Sequence, residues 1–418
     1  MENGKWIWCV LTFVSIVSLA APAPAAAQDV SMFFPVLPDN AQEYTEPKLI
    51  PVASNYDFNK SNLSKITRAV IAIPDETRNA GALKQLLAEF AGSLNNSALI
   101  ISPQFMIPAD LLQFDILSPE EKKYFAIWDI SDWAYGNQSI NSNAQSRLSD
   151  EDGTDFINQD MGNSSSISSF DVTDKLVLFL AQKDIFPNLN TIIIAGRGLG
   201  ANFVQRYAMF TSIPEDSLLN GISIHFLALG ASSYVYPTDY RPNLYKNSLV
   251  IEGASGNAAQ CKEMNDYPFG MDNLNTYARK TGKNAARVNY GTRAVTYITA
   301  KGAEPVSDSS CAAMLQGASV FERADNYQKY LSSVYGALSD TNHVFNFVAG
   351  NNNALNLYGS NCAVSVMFGN GLCHNPHASD TEFDENLYQS DENSAIDEDI
   401  VTETSHTGTS GYLDGLDL

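Results

Sequence analysis

Short β-branched runs take turns with stretches of helical spacing along much of the chain. Arg68–Ile73 reads Arg-Ala-Val-Ile-Ala-Ile and closes on Pro74, which predicts a buried strand. Asn79–Leu94 places Leu83, Leu86, Leu87 and Phe90 on one face, which predicts an amphipathic helix. Ala98–Ser102 is a second apolar run, ended by Pro103. Asp171–Gln182 reads as a helix, with Asp171 as its N-cap and Asp174 three residues on. Thr191–Ala195 is a further strand, and Ala201–Phe210 carries Phe203, Val204, Tyr207 and Ala208 at helical spacing. Ile222–Leu229 and Arg293–Thr299 read as strands, Phe321–Leu338 as a helix and His343–Val348 as the last strand. Strands alternating with helices imply an α/β layer fold with a mostly parallel sheet.

Other stretches break the rhythm. Residues 28–63 are rich in Pro, Asn and Asp and read as an extended N-terminal arm. Residues 109–169 hold Trp128, Trp133 and Tyr135, then a run of Ser, Asn and Asp, and read as a loop-rich insertion. Asn-X-Ser occurs at Asn59, Asn62, Asn95, Asn137 and Asn163. These are acceptor sites for glycans in a eukaryotic secretory pathway and mean nothing in a bacterium.

Charge adds a tail. The 418-residue chain has a formal net charge of −22, which argues against nucleic acid or an anionic membrane surface as partner. From Ser379 onward there are 12 Asp and Glu and no Lys or Arg, so the rest carries −22 + 12 = −10. Residues 379–418 therefore read as a disordered acidic tail. Residues 64–378 are left as one α/β domain.

The N-terminus reads as an export signal over residues 1–27. Lys5 precedes an apolar stretch from Trp6 to Ala21, and Ala25-Ala26-Ala27 gives a small-x-small cleavage pattern before Gln28. No later segment is long and apolar enough to be expected to span a membrane. The expected location is secreted or periplasmic. Cys9 leaves with the signal, so Cys261, Cys311, Cys362 and Cys373 remain, an even count suited to two disulfides. Three pairings are open. Cys261–Cys311 with Cys362–Cys373 is favoured, because each pair brackets one loop-rich section. A loose Cys373, His374, His377 cluster is a weaker metal candidate, and no metal or cofactor is expected.

Candidate chemistry centres on Thr191–Phe210. A strand is followed by Gly196-Arg197-Gly198-Leu199-Gly200 and then a helix. That is the setting of a nucleophile elbow, G-x-S-x-G, with Gly198 where the serine belongs. A glycine turn before a helix also suits a phosphate. Here the third glycine comes one residue early for G-x-G-x-x-G. Gly196, Gly198 and Ala201 fit the G-x-G-x-x-A variant, but no acidic residue follows at the position that reads a ribose.

Over about Ser64–Gly369 the chain resembles the α/β-hydrolase superfamily. The elbow is followed by Asn202-Phe203-Val204-Gln205-Arg206-Tyr207-Ala208, similar to the helix after a G-H-S-x-G-G elbow in secreted members. Pro74–Ala80 resembles the loop after the first core strand, Leu229–Tyr236 a loop after the next strand, and Tyr297–Gly302 with Asp308–Gly317 the segment that delivers the catalytic acid. The resemblance implies a nucleophile at Gly198, an acid at Pro305 and a histidine at Asn353. It implies oxyanion donors at Asp75, where the family has His-Gly, and at Leu199. None of the three triad positions holds a competent side chain, and Asp75 sets a carboxylate where negative charge would develop.

His343, His225, Glu304, Asp308, Ser232 and Ser233 are possible stand-ins. His343 begins a strand and His225 lies inside one, so both are expected in the sheet. The expectation is a catalytically degenerate member with a binding or structural role. Its former cleft, lined by Asp75, Glu76, Arg197, Gly198 and Asn353, would either hold an unidentified ligand or be filled in. The alternative is an active carboxylic-ester hydrolase using an unconventional site.

Overall fold

A computed structural model describes residues 30–38, 46–58, 61–113, 123–140, 166–243, 248–252, 261–302, 306, 308–369 and 373. The expected export signal and acidic tail, together with Pro305, Glu304, His374 and His377, lie outside the described residues.

Eight strands form one sheet. In chain order they are β1 (Met32–Val36), β2 (Lys48–Ser54), β3 (Arg68–Ile73), β4 (Ala98–Pro103), β5 (Thr191–Arg197), β6 (Ser223–Leu229), β9 (Val295–Ala300) and β10 (His343–Val348). A separate two-stranded ribbon, β7 (Arg241–Asn243) with β8 (Ser248–Glu252), falls between β6 and β9. Spatial order in the main sheet is β1-β2-β4-β3-β5-β6-β9-β10. The β1–β2 and β2–β4 pairs are antiparallel, and every pair from β4 to β10 is parallel. The sheet is thus mostly parallel and flanked by helices, the α/β-hydrolase-like arrangement expected from the sequence.

The region read as an arm supplies β1 and β2. Both contain a proline, Pro35 and Pro51, which is why they read as loop. Proline takes a ladder hydrogen bond away, and here it stands on the antiparallel margin of the sheet. The region read as a loop-rich insertion carries two 3₁₀ turns, Pro108–Gln113 and Asp132–Tyr135, and it buries Trp128 and Trp133 completely.

Alternation along each strand decides which face a side chain joins. Ile71, Ile73, Ile192 and Ile194 pack on one face with Phe170 and Leu176 of α2 (Ser169–Leu180) and Phe203 and Tyr207 of α3 (Leu199–Phe210). Val70, Ala72, Ile193 and Ala195 pack on the other with Leu87 of α1 (Ala80–Ala91) and Val366 of a C-terminal helix, Asn361–Phe368. Because both faces are covered, the central strands read as unbroken apolar runs. Helix α2 corrects one local expectation. Its N-cap is Ser168, whose hydroxyl accepts from Phe170 N at 3.1 Å, and Asp171 is the third helical residue, returning a bond to Ser168 N at 3.2 Å. Asp171 closes a capping box rather than capping the helix itself.

The layout also says where a site belongs. β3 connects outward to β4, and the chain then crosses back to place β5 on the other side of β3. In open α/β sheets the crevice lies beyond the carboxyl ends of the strands at such a reversal. Asp75 and Glu76 follow β3, and Gly198 follows β5, so both loops open onto that point.

Candidate functional site

The turn after β5 is built from backbone. Gly198 N donates to Leu229 O at 3.0 Å, which continues the sheet, and Gly198 O then accepts from Ala201 N and Asn202 N, which starts α3. Between the two, Gly198 takes φ 58° and ψ −120°, a conformation that side-chain-bearing residues rarely adopt. A Cβ on Gly196 would stand 2.4 Å from Gly200 O, and one on Gly200 would stand 2.6 Å from the carbonyl oxygens of Ile73 and Pro74. Each glycine therefore has its own reason: Gly198 for its φ, Gly196 and Gly200 for close approach of strand, helix and the β3 loop. This is a sharp strand-to-helix turn with the backbone setting of a nucleophile elbow, and a glycine stands at its tip.

Charged side chains crowd the space above the turn. An ideal Cβ on Gly198 would lie 2.7 Å from Glu76 Oε2 and 3.8 Å from Asp75 Cβ. Arg197 Nη2 donates to the Asp75 carboxylate in a close ion pair and lies 3.7 Å from Glu76 Oε1. Arg197 Nη1 donates to Asn352 O at 3.0 Å. Asp75 Oδ1 also accepts from Thr77 N at 2.9 Å and Thr77 Oγ1 at 2.6 Å. Burial alone would raise the Asp75 pKa. The Thr77 hydrogen bonds and the Arg197 guanidinium outweigh it and hold the carboxyl below its usual range. Asp75 is thus an anion with its partners in place. Glu76 is the looser of the two, with its side chain 56% exposed.

The structure brings together Asp75, Glu76, Arg197 and Gly198 of the residues singled out in the sequence. Leu199 is the first residue of α3, half-buried against the main core. The residue that touches Arg197 from the loop after β10 is Asn352. It also accepts from Ala300 N through Oδ1 at 2.9 Å. The Asn353 side chain is turned away to cap the helix Ala354–Tyr358, accepting from Asn356 N at 2.8 Å. Within a run of three asparagines, a one-residue offset is invisible in sequence.

The stand-in histidines are placed as expected, and far from the elbow. His343 opens β10 and is paired across the sheet with Val295, Phe226 and so Ile194, four residues before Gly198. Three strand spacings and four residues of rise put the two about 14 Å apart across the sheet and about 13 Å along it. The His343 ring lies between hydroxyl and carbonyl, with Nδ1 3.1 Å from Tyr297 Oη and Nε2 2.9 Å from Tyr290 O. Burial lowers its pKa to about 4. His225, inside β6, meets Thr296 Oγ1 at 2.9 Å, and burial likewise lowers it to about 4. Ser232 accepts from Asn202 Nδ2 at 2.8 Å, and Ser233 receives Arg206 Nη2 at 3.0 Å. Both serines are occupied in holding the loop after β6 to α3. Asp308 Oδ1 accepts from Ser310 N at 3.0 Å, and its backbone oxygen accepts from Arg323.

Arg206 and Arg323 are polar anchors that the sequence pattern did not single out. Both are completely buried, and their hydrogen bonds to protein oxygens go mainly to backbone carbonyls of the surrounding loops. Arg206 shares its helix turn with apolar neighbours, and that was the available hint.

The cysteines pair as favoured. Cys261 and Cys311 lie at disulfide distance with Cα atoms 5.8 Å apart, as do Cys362 and Cys373 at 4.9 Å. Among the described residues no group of three or more His, Cys, Asp or Glu could hold a metal ion, and no helix is long and apolar enough to cross a membrane.

No family model matches the sequence, and no curated protein matches it. Solved structures similar in outline include a poly(3-hydroxybutyrate) depolymerase, LpqC from Bordetella parapertussis, at TM-score 0.48 and 13% identity over 83% of this chain and 95% of that one. A poly(aspartic acid) hydrolase-1 from Sphingomonas sp. KT-1 scores 0.42 at 14% identity, covering 77% of this chain and 94% of that one. MPT51 (FbpC1) from Mycobacterium tuberculosis scores 0.37 at 13% identity, covering 84% and 98%. Identities and scores this low carry no activity across to this chain.

Proposed function

We propose that this chain is a non-catalytic protein on an α/β-hydrolase-like fold, exported from the cell, with a binding or structural role in place of hydrolysis. One observation carries the reading. The elbow keeps its strained backbone at Gly198, but Glu76 and the Arg197–Asp75 pair occupy the space above it. An acyl-transfer site needs an oxygen nucleophile, a base within hydrogen-bond reach and donors aimed at a developing oxyanion. Here the nucleophile position has no side chain. The nearby Asp75 is held ionised, opposite in sign to an oxyanion donor. Loss of a triad removes on the order of 10⁶ in turnover in a serine protease.

Any ligand of this cleft must meet Glu76 and either accept or displace the Arg197–Asp75 pair. That favours a neutral or cationic group over an acyl substrate. Export is supported by the expected signal at residues 1–27 and by two cysteine pairs at disulfide distance, since disulfides persist in oxidising compartments.

A fluorophosphonate probe tests the reading on the purified protein, because it labels an activated serine whatever the substrate. The expected result is no stoichiometric labelling and no ester hydrolysis above a heat-treated control. Stoichiometric labelling would establish the alternative, an ester hydrolase using an unconventional site.

A further inference from the structure

Away from the elbow, β9 and β10 carry an aromatic cluster. Tyr297 on β9 and His343 on β10 stand two positions out of register on neighbouring parallel strands, so their side chains share a face. Tyr297 is 1% exposed and His343 2%. His343 Nε2 lies 2.9 Å from Tyr290 O, a carbonyl that can only accept, so Nε2 carries the proton and Nδ1 holds a lone pair. Tyr297 Oη, 3.1 Å from Nδ1, therefore donates to it. Tyr290 Oη donates in turn to Tyr297 Oη, and it accepts from Gln205 Nε2 at 3.0 Å. Because burial lowers the His343 pKa to about 4, the imidazole is an uncharged base at neutral pH.

The bond to Nδ1 sets Tyr297 apart chemically. Taking one electron from a phenol makes it a far stronger acid than an imidazolium. The loss is therefore easiest where a base can take the proton in the same step. Tyr327 donates to Val235 O at 3.0 Å and Tyr335 to Arg287 O at 2.9 Å, and a backbone carbonyl is no such base. Aromatic rings also lead inward. Tyr335 is half-buried, its ring stacks on that of His343 at 5.9 Å, and it lies 6.4 Å from the ring of Tyr290, whose hydroxyl bonds to Tyr297. We propose that Tyr297 and His343 form a one-electron redox site that quenches small organic radicals of the peroxyl class. In the step, one electron passes from Tyr297 to the peroxyl radical, which becomes a peroxide anion. The phenolic O–H bond breaks and its proton goes to His343 Nδ1. A neutral tyrosyl radical is left beside an imidazolium. The site stands apart from the elbow and from any conclusion about hydrolysis.

Pulse radiolysis of the full chain in azide solution tests this, with the azidyl radical as the one-electron oxidant. The expected product is a tyrosyl radical, identified by absorption and electron paramagnetic resonance, that outlives the radical of free tyrosine by about tenfold or more. Its phenoxyl oxygen should show coupling to an exchangeable proton, the one on His343 Nδ1, and that coupling should vanish after exchange into D₂O. Tyr297→Phe, which removes one oxygen, should cut the long-lived signal by about tenfold or more. The proton coupling is read on the wild type, so the test holds even where Tyr297→Phe fails to fold. Absence of a tyrosyl radical that outlives free tyrosine would overturn the assignment. So would a long-lived radical without the proton coupling, or one that a folded Tyr297→Phe leaves unchanged.

Discussion

Two aspartates flank helix α3, one bonded to the end of β5 just before it and one at its far end, and they are driven in opposite directions. At its start, Asp75 accepts from Thr77 and from Arg197, and its pKa falls below the usual value. At its end, Asp174 of α2 accepts from Tyr207 at 2.7 Å and Thr211 at 3.2 Å, and from Tyr277 at 2.8 Å. Burial nonetheless pushes Asp174 up to about 7, with Asp171 raising it and the hydroxyl bonds lowering it. The nearby ammonium of Lys280 is paired with Asp171 at 2.9 Å. Hydrogen bonds are plentiful at both ends. A full positive charge in direct contact, present only at the elbow, helps separate an anion that stays charged from a carboxyl that titrates near neutrality.

The elbow end is also the less forgiving in backbone terms, and Gly196→Val should produce the largest effect. The added Cβ has 2.4 Å to the backbone oxygen of Gly200, which belongs to α3 and cannot swing aside. The loss should exceed about 3 kcal/mol, the range of severe core disruptions. Urea unfolding, or failure to recover folded protein, reads it. A loss under about 1 kcal/mol would mean that strand and helix are not locked here.

Asp174→Asn should have a smaller effect whose sign depends on pH. In the folded chain the group titrates near 7, against 3.8 for an unperturbed aspartate. The folded state therefore holds its proton where the unfolded state has lost it. Its contribution is intact below the unfolded pKa, falls as pH rises through the interval and is gone above about 7. Between pH 5 and pH 8 the wild type should lose roughly 2–3 kcal/mol relative to Asp174→Asn, at 1.36 kcal/mol per unit across the titrating part. The difference between the two proteins is the informative quantity. His225 and His343, each lowered to about 4 by burial, add stability with rising pH in both. Parallel denaturant midpoints from pH 5 to pH 8 would show that Asp174 stays ionised and that its hydroxyl donors suffice.

The elbow end was legible in the sequence, and the other end was not. β5, the glycine turn and α3 are consecutive, and each glycine reports a local backbone need. The last strand, His343–Val348, has the bounds expected from its pattern. By contrast, the Asp174 cluster joins residues as far as 103 positions apart on three helices, and no local pattern announces it. The Arg197–Asp75 pair spans 122 positions, yet the sequence resemblance puts both residues at one cleft, because it supplies the long-range frame that periodicity lacks. Asn353 was expected to line that cleft, whereas its neighbour Asn352 makes the contact with Arg197. The prolines in β1 and β2 hid two strands for a physical reason: proline removes a ladder donor and so scores against a strand, yet Pro35 stands on the edge strand and Pro51 sits within β2, which β1 and β4 pair on either side.

Gly198→Ser is the smallest change in activity and the sharpest test of what the elbow lacks. Space is not the obstacle. The atom nearest a new Cβ is Glu76 Oε2 at 2.7 Å, the end of a half-exposed side chain that can move. The backbone is the cost, because a serine at φ 58° carries strain of about 1–3 kcal/mol. The hydroxyl would then stand at the tip of the turn, with Arg197, Asp75 and Glu76 around it. A serine needs a base within hydrogen-bond reach to become a nucleophile. His343 stands about 14 Å away across the sheet and about 13 Å along it. Esterase turnover should therefore stay at the wild-type background, even though the protein melts slightly earlier. Adding Glu76→Gln to that variant should change nothing further, since it removes a charge without supplying a base. A clear rise in turnover from Gly198→Ser alone would reveal a working base at the elbow, and the non-catalytic reading would fall with it.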